Sequence, residues 1–263
     1  MQTTGNTILI TGGGTGIGRA LAEAFHALGN KVIVAGRREQ PLQETAAANP
    51  GIEWLTLDVQ NAPSVTAFAQ EAIRRFPALN AVIHNAGIMQ PEDLLHTTGD
   101  TTAAEAMIHT NLTAPLRLTA ALMPHLLKQP HAAILTVSSG LAFVPMAITP
   151  TYNATKAAIH SWTQSLRFQL RKTKVEVLEI IPPYVQTELM GPGQAADPRA
   201  MPLAEFIAEV MELIAAQPAS GEIAVKRVYP LRFAGDSGED KEKGRAQYDA
   251  FVTHFNNQML APH

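Results

Sequence analysis

Short apolar runs alternate along the chain with longer segments in which apolar residues recur every three or four positions. The first run, residues 6–11, precedes an amphipathic segment at residues 19–29, and the second run covers residues 31–35. A short continuous apolar run is typical of a strand covered on both faces, whereas the longer period is that of a helix with one buried side. The pattern therefore predicts an alternation of strands and helices.

The alternation continues through most of the remaining sequence. Further strands are predicted at residues 52–57, 79–83, 132–137, 174–181 and 222–226, and further helices at residues 62–76, 101–128, 152–171, 203–216 and 244–257. The segment 101–128 is expected to divide into two helices near Asn111. Repeated strand–helix units imply a parallel sheet with helices on both faces. We predict an α/β fold: a single Rossmann domain over residues 1–263, with a doubly wound parallel sheet of about seven strands.

Two segments stand outside this alternation. Residues 186–202 are rich in Gly, Pro and Ala, a composition more typical of a lid that covers a binding site than of a packed element. A plain surface loop is an equal alternative. Residues 230–263 are predicted to form a C-terminal extension with a polar loop at 234–243. The charge-free stretch 129–155 is broken by serines and prolines, so a buried strand, a loop and a helix start explain it better than a membrane span.

Composition narrows the classes of function. The net charge of −3 and the pI of about 6.3 show no basic excess, which argues against nucleic acid or an anionic membrane as a partner. The absence of cysteine removes disulfides, thiolate nucleophiles and cysteine metal sites. The nine histidines show no ligand spacing, so no metal site is predicted. No export signal is apparent at the N-terminus, and a cytoplasmic location is expected.

The turn after the first predicted strand is rich in glycine: Gly12-Gly-Gly-Thr-Gly16-Ile-Gly18. Glycine lets the backbone approach a pyrophosphate closely, and the N–H groups of the helix that follows favour its negative charge. Loops also collect glycine for steric reasons alone. The position between a strand and a helix favours the phosphate-binding interpretation.

The second predicted strand ends at Gly36, followed by Arg37 and Arg38. A carboxylate at the end of this strand would hold a ribose 2′-hydroxyl, whereas glycine followed by guanidinium groups favours a 2′-phosphate. Two solvated arginines at the start of a helix are the alternative. The sequence thus favours NADP(H), with NAD(H) as the second possibility.

Candidate acid–base chemistry lies at Tyr152 and Lys156, which are four residues apart and so share one helix face. A neighbouring cation is expected to lower the pKa of the phenol and make it a useful proton donor and acceptor. Ser139, one loop earlier, can donate a second hydrogen bond to the same substrate oxygen. The simpler alternative for Tyr-x-x-x-Lys is a packed ring beside a solvated lysine.

Several candidate residues follow predicted strands directly, among them Asp58, Asn85, Ser139 and Thr187. In open α/β sheets, ligands bind beyond the carboxyl ends of the strands. We therefore expect these turns and the glycine turn to meet in one crevice.

Together the motifs resemble the classical short-chain dehydrogenases/reductases over residues 6–230. The matching motifs are Thr11-Gly-Gly-Gly-Thr-Gly-Ile-Gly18, Asp58, Asn85-Ala-Gly87, Asn111, Ser139, Tyr152-x-x-x-Lys156 and the Pro-rich turn ending at Thr187. The run Ile181-Pro-Pro-x-Val-Gln-Thr-Glu-Leu189 and the tail Leu231-Arg-Phe233 resemble a bacterial DltE-like subgroup.

The resemblance implies a catalytic set of Asn111, Ser139, Tyr152 and Lys156. Tyr152 would exchange the proton, Ser139 would orient the substrate, Lys156 would hold the nicotinamide ribose and tune the phenol, and Asn111 would anchor a water in the proton relay. The implied cofactor-binding residues are Gly12, Thr15, Gly16, Ile17, Gly18, Arg37, Arg38, Asp58, Val59, Asn85, Ala86, Gly87, Tyr152, Lys156, Val185 and Thr187.

In this resemblance the glycines surround the pyrophosphate, Asp58 holds the adenine amine, and Asn85 lies near the adenosine ribose. Val185 and Thr187 fix the carboxamide. Two positions depart from the family pattern: His84 replaces the first asparagine of Asn-Asn-Ala-Gly, and Pro183 replaces the glycine of the Pro-Gly turn. An imidazole can still hydrogen-bond at position 84, whereas Pro183 restricts φ where the predicted lid begins.

The leading hypothesis is an NADP(H)-dependent oxidoreductase that transfers a hydride reversibly between nicotinamide and a small-molecule carbonyl or secondary alcohol. A non-catalytic NAD(P)-binding sensor or scaffold is the alternative. A set of apolar residues is expected either to line an apolar substrate pocket or to be buried packing: Leu141, Phe143, Val144, Met146, Leu189 and Met190. The resemblance also implies a homodimer or homotetramer formed through the helices near 112–128 and 152–171.

Overall fold

The computed structural model describes residues 1–236 and 241–260. Within them the strands are β1 (Thr7–Thr11), β2 (Lys31–Gly36), β3 (Glu53–Thr56), β4 (Leu79–His84), β5 (Ala132–Val137), β6 (Val175–Ile181) and β7 (Glu222–Ala224). They form one sheet in the order β3-β2-β1-β4-β5-β6-β7, and every neighbouring pair is parallel. The predicted fold class, a doubly wound parallel sheet, is confirmed.

Helices connect the strands and cover both faces of the sheet. They are α1 (Gly16–Ala27), α2 (Glu39–Ala48), α3 (Ala62–Arg75), α4 (Thr102–Ile108), α5 (Ala114–Leu126), α6 (Pro150–Leu170), α7 (Pro192–Ala196), α8 (Leu203–Ala216), α9 (Tyr229–Arg232) and α10 (Lys241–Leu260). A π-helical turn, His109–Thr113, joins α4 to α5. The expected division near Asn111 is therefore present as a wider helical turn. Pro115 explains it in part, because proline lacks the N–H that would bond the carbonyl of Asn111 in an α-helix.

The apolar strands are buried on both sides because successive side chains point to opposite faces. In β1, Ile8 and Ile10 pack with α1 and α8, in a core that includes Phe25 and Phe206. Leu9 lies in the other core, with α3, α5 and α6. This two-sided burial is what makes the strands of a parallel sheet read as continuous apolar runs.

The site is positioned by the strand order. β1 has β2 on one side and β4 on the other. The order of strands therefore reverses at β1, and a crevice opens beyond the carboxyl ends of β1 and β4. The turns that follow β1, β2, β4, β5 and β6 all reach this crevice.

The predicted lid segment is tied to the turn after β6. Val185 forms an isolated parallel bridge with Met201, Gln186 N–H donates to the Met201 carbonyl at 2.9 Å, and Met201 N–H donates to the Tyr184 carbonyl at 2.8 Å. The short helix α7 lies between these contacts.

Two other expectations concern the ends of the chain and the charge-free stretch. Helix α10 begins inside the predicted polar loop 234–243, of which residues 237–240 lie outside the described residues. Residues 129–155 form β5, a loop and the start of α6, as predicted. No helix in the described part of the chain is long and apolar enough to cross a membrane.

Candidate active site

The glycine turn packs tightly against the segment that follows β4. Gly12 has a φ of +68°, and a Cβ there would lie 2.9 Å from Ala86 Cα. A Cβ on Gly18 would lie 2.3 Å from the Gly12 carbonyl oxygen. Any larger residue at either position would displace backbone. The close packing brings the first turn of α1, with its outward-pointing N–H groups, to the wall of the crevice, which suits a pyrophosphate.

Thr11 and Asn85 hold this arrangement together. The Thr11 hydroxyl oxygen accepts hydrogen bonds from the backbone N–H groups of Asn85 and Ala86, both at 3.1 Å. The Asn85 side-chain amide donates to the carbonyls of Thr11 at 3.0 Å and Gly12 at 3.2 Å. Asn85 thus braces the glycine turn while also lining the crevice. The sequence did not reveal the role of Thr11, although a polar residue ending an apolar strand is a weak signal for such a tie.

The crevice is a cavity of about 500 Å³. Most predicted site residues line it: Gly12, Thr15, Gly16, Ile17, Arg37, Arg38, Asp58, Val59, Asn85, Ala86, Gly87, Ser139, Tyr152, Lys156, Val185 and Thr187. Gly18 lies beneath the glycine turn, and Asn111 lies behind the loop after β4. The cavity extends from the arginines at the end of β2 to the tyrosine on α6, as an extended dinucleotide requires.

Arg37 and Arg38 are exposed at one end of this cavity. Within residues 1–236 and 241–260, neither guanidinium forms a salt bridge. Asp58 is also exposed at the cavity wall, and its carboxylate accepts a hydrogen bond from Gln60 N–H at 3.1 Å. Two cations without a carboxylate partner, beside a glycine at the end of β2, suit a phosphate group.

Helix α6 presents the candidate acid–base pair. It begins at Pro150, whose fixed φ suits the first turn of a helix. The Glu92 carboxylate accepts hydrogen bonds from the Thr151 N–H at 2.9 Å and from its hydroxyl at 2.8 Å. This cap fixes the turn that carries Tyr152. Sequence reasoning missed Glu92 because it lies 59 residues from its partner.

Tyr152, Lys156 and Ser139 come together at the cavity wall. The Lys156 ammonium donates to the Val137 carbonyl at 2.8 Å and lies 5.5 Å from the centre of the Tyr152 ring. The Ser139 hydroxyl oxygen accepts a hydrogen bond from Leu141 N–H at 3.1 Å, and the serine side chain lies close enough to the phenol to lower its pKa. The three groups predicted to act together are therefore neighbours.

The acidity of this pair differs from the expectation that lysine lowers the pKa of the phenol. Burial raises the pKa of Tyr152 to about 12, and the neighbouring Ser139 side chain offsets only part of this rise. Burial lowers the pKa of Lys156 to about 8. The direction is opposite to the expected one because loss of hydration disfavours the phenolate of a tyrosine that is only 6% exposed. The phenol therefore stays protonated at neutral pH, as a proton donor requires.

Asn111 lies in the π-helical turn, where it joins two parts of the site. Its side-chain carbonyl accepts from Ile88 N–H at 2.9 Å, and its amide donates to the Ile88 carbonyl at 2.9 Å and to the Thr155 hydroxyl at 3.1 Å. Asn111 thereby ties the loop after β4 to α6. π-Helical turns of this kind are frequent at functional sites.

Gln194, on α7, was not identified from the sequence. Its amide donates to the Val185 carbonyl at 2.8 Å and to the Thr187 hydroxyl at 3.1 Å, and its oxygen accepts from Met190 N–H at 3.0 Å. These bonds hold the two residues expected to fix a carboxamide. A single glutamine in a Gly- and Pro-rich segment carries no pattern that would have marked it.

Only one of the six residues proposed for an apolar pocket wall, Leu189, lines the cavity. Val144 and Met146 are buried in the protein instead, and the loop that contains them is held by α10. The Tyr248 hydroxyl donates to the Phe143 carbonyl at 2.9 Å. Asn256 bonds both the Pro145 carbonyl and the Ala147 N–H. The buried-packing alternative is therefore correct for Val144 and Met146, while Leu141 and Phe143 are half-buried and Met190 is exposed.

His84 is buried and accounts for one departure from the family pattern. Its Nε2 lies 2.8 Å from the Thr119 hydroxyl, and burial lowers the pKa of His84 to about 3. The imidazole is therefore neutral in the folded protein at ordinary pH. As expected, it still hydrogen-bonds at this position.

Replacing His84 with asparagine should make folding less sensitive to acid. Because the folded pKa lies below the unfolded value of ~6.5, the unfolded state binds this proton first as the pH falls. The wild type should then lose ~1.4 kcal/mol per pH unit from His84 below pH ~6, or ~2 kcal/mol between pH 7 and pH 5. Urea unfolding at the two pH values measures the difference.

The matched control for this experiment is His131→Asn, because His131 is exposed. That variant should keep the pH dependence of the wild type. Equal acid sensitivity in the wild type and His84→Asn would show that the buried imidazole contributes nothing to it.

Comparisons of the sequence with a family model and with individual proteins point to the same family. A family model described as short chain dehydrogenase matches residues 6–197. The oxidoreductase DltE of Bacillus subtilis (strain 168) is 39% identical over 261 residues, which cover 98% of this chain and 99% of the relative.

Solved structures with bound nicotinamide cofactors have a similar fold. A short chain dehydrogenase of Shigella flexneri 2a strain 301 complexed with NADP is 26% identical with a TM-score of 0.69, over 77% of this chain and 89% of that one. A short chain dehydrogenase/reductase of Burkholderia phymatum in complex with NAD is 24% identical with a TM-score of 0.74, over 90% and 95%. The second likeness concerns the fold alone.

Proposed function

Because the chain belongs to the short-chain dehydrogenase/reductase family, we propose that it is an NADP(H)-dependent carbonyl reductase that also runs in reverse as an alcohol dehydrogenase. Membership confirms the resemblance seen in the motifs, including the DltE-like subgroup. The chain is an oxidoreductase of the type that acts on CH–OH and C=O groups with a nicotinamide cofactor. The parts proposed here are the preference for NADP(H), the apolar substrate and the residue roles.

One observation carries the proposal: a protonated phenol, a lysine and a serine meet at the wall of a cavity large enough for an extended ligand. When bound, a nicotinamide dinucleotide supplies or accepts the hydride. In carbonyl reduction, the Tyr152 hydroxyl donates its proton to the substrate oxygen and the Ser139 hydroxyl donates a hydrogen bond to the same oxygen. The Lys156 ammonium stabilises the phenolate that remains.

Cofactor binding is assigned to the residues of the cavity wall. The glycine turn would hold the pyrophosphate, Arg37 the 2′-phosphate and Asp58 the adenine amine. Preference for NADP(H) is supported by Gly36 and by the two guanidinium groups, which have no carboxylate partner in the described ranges 1–236 and 241–260. Lys156 would hold the nicotinamide ribose. Val185 and Thr187, braced by Gln194, would fix the carboxamide.

An apolar substrate is supported by the apolar side chains in the lining of the cavity. Ile88, Met89 and Leu189 line it, and apolar walls with a few placed polar groups are typical of small-molecule sites. The homodimer or homotetramer implied by the resemblance remains a prediction, as does the cytoplasmic location.

The direct test is a panel of ketones, aldehydes and secondary alcohols assayed with NADPH and with NADH. Turnover of apolar carbonyls, with a kcat/KM for NADPH at least about tenfold above that for NADH, is expected from one arginine–phosphate contact. Cofactor binding without turnover across the panel would support the sensor or scaffold alternative instead.

The two directions of the reaction should depend on pH in opposite senses. Reduction needs the Tyr152–Lys156 pair fully protonated, and oxidation needs the pair to have lost one proton. Since burial lowers the pKa of Lys156 to about 8, kcat/KM for reduction should fall as the pH rises through about 8, while kcat/KM for oxidation rises. Initial rates between pH 6 and pH 10 test this. Identical profiles in the two directions would contradict a tyrosine–lysine proton donor.

A further inference from the structure

A cluster of ionisable side chains around a buried glutamate lies behind the catalytic pair, outside the cavity. Glu179 on β6 is completely buried, and both of its carboxylate oxygens lie 2.9 Å from Nδ1 of His160 on α6. Next to it, Arg232 of α9 donates two hydrogen bonds to the Glu222 carboxylate, at 2.8 and 2.9 Å. Nothing in the proposed mechanism uses these four residues.

The cluster has the composition of a metal site but not its electrostatics. Ligand atoms of His160, Glu179 and Glu222 all lie within 4.8 Å of one another. The Arg232 guanidinium, however, occupies both oxygens of Glu222. A divalent cation there would face a fixed positive charge. The guanidinium therefore takes the place that a cation would have, and Glu222 and Arg232 form a neutral pair.

Glu179 lies beside the carbonyl that holds the catalytic lysine. The β5–β6 register pairs Val137 with Ile180, the residue next to Glu179, and Val137 accepts the Lys156 ammonium bond. Lys156 and His160 are four residues apart on α6, which places them ~6 Å apart along one helix face. The Glu179 carboxylate, which His160 contacts, is thus within about one helical turn of Lys156.

Among the described residues Glu179 is the only buried carboxylate, whereas Glu105 of α4 and His109 of the π-helical turn, two elements that also pack against α6, are exposed. On its own helix, Lys156 has the neutral phenol of Tyr152 and the imidazole of His160, and β4 contributes His84, which is neutral. β5 has no ionisable side chain. Behind Glu179, β7 and α9 contribute the paired Glu222 and Arg232. A cation buried as deeply as Lys156 needs an opposite charge nearby.

We propose that Glu179 is a positioning residue for catalysis: its buried carboxylate, held by His160, keeps Lys156 cationic beside Tyr152. This inference rests on the proposed function. In its support, burial lowers the pKa of Lys156 while the charge of Glu179 raises it. The carboxylate thus counteracts part of the effect of burial on the lysine.

The test is Glu179→Gln, which preserves the shape of the side chain and removes its charge. The alkaline limb of kcat/KM for reduction should move to lower pH by ~1 unit, which means a loss of ~5-fold at pH 8 and little loss at pH 6. Glu179→Asp should keep the limb near its wild-type position. A uniform loss at every pH, with the limb unmoved, would show a merely structural role and overturn the proposal.

The matched control is the double variant Glu222→Gln/Arg232→Gln. It disrupts the same cluster and leaves the net charge unchanged, so the limb should stay in place. A shift equal to that of Glu179→Gln would mean that packing of the cluster, rather than the Glu179 charge, sets the pH dependence.

Two further measurements keep the test decisive. If Glu179→Gln does not fold, His160→Leu should give a smaller shift in the same direction, because the carboxylate loses the imidazole that holds it in place. An unmoved limb there overturns the proposal. The pH dependence of NADPH binding, followed by nicotinamide fluorescence, needs no turnover. If Glu179→Gln shifts the pH dependence of NADPH affinity but the protein turns over no carbonyl, the proposed function is refuted, while the effect of Glu179 on the charge of Lys156 is retained.

Discussion

Replacing Tyr152 with phenylalanine should lower kcat for carbonyl reduction by ~10²–10⁴-fold, the usual contribution of a general acid. The substitution removes only the hydroxyl, and the ring lies 6% exposed against its neighbours, so its packing is preserved. Lys156 keeps its hydrogen bond to the Val137 carbonyl. The affinity for NADPH should therefore change little, and stopped-flow turnover together with a binding titration separates the two effects.

Tyr184→Phe is the matched control for this prediction. Tyr184 is also a tyrosine near the site, but its hydroxyl donates to the Asp197 carboxylate at 3.2 Å and it is partly exposed. That variant should turn over at nearly the wild-type rate. Near-normal turnover by Tyr152→Phe itself would refute the assignment of the proton donor.

The second large effect is expected for cofactor choice in the double variant Gly36→Asp/Arg37→Ala. Loss of one charge-assisted phosphate contact should weaken NADPH by ~10–100-fold, and the new carboxylate repels the 2′-phosphate while it can accept from a ribose 2′-hydroxyl. The site tolerates the larger side chain, because a Cβ on Gly36 would meet only Leu42, at 3.6 Å. The ratio of kcat/KM for NADPH to that for NADH should fall by at least ~10²-fold.

Arg74→Ala provides the comparison for this double variant. Arg74 lies on α3, where it pairs with Glu71 at 2.7 Å, and it does not line the cavity. Its removal lowers the net charge of the protein by the same amount as Arg37→Ala and should leave the cofactor ratio unchanged. An unchanged ratio in Gly36→Asp/Arg37→Ala would place the adenosine phosphate elsewhere.

The fold could be predicted from the sequence because both faces of the sheet are covered, which makes its strands continuous apolar runs. Apolar runs such as Ala132–Val137 have the same bounds in the structure as in the prediction. The edge strands did not: β3 spans Glu53–Thr56 and β7 spans Glu222–Ala224, both shorter than predicted. An edge strand has a partner on one side only, so pairing ends before the apolar run does.

The local parts of the site were also predictable, whereas contacts between distant residues were not. The glycine turn and Tyr152-x-x-x-Lys156 are readable because their chemistry lies within a few residues. The Glu92 cap of α6 joins residues 59 apart, and the Glu179–His160 pair joins residues 19 apart. No short motif can show such contacts.

The acidity of the phenol was the clearest failure of sequence reasoning. Spacing places Lys156 beside Tyr152, but the direction of the pKa shift depends on how deeply both are buried. Burial is a property of the surrounding fold, so it became visible only once the strands and helices were in place.

Helix α10 holds the loop between Ser139 and Tyr152 by hydrogen bonds from Tyr248 and Asn256. Both residues lie beyond the stretch matched by the family model, which ends at residue 197. A substitution at either position can therefore disturb how the segment leading to the reactive tyrosine is held, while every residue of the catalytic motifs stays the same.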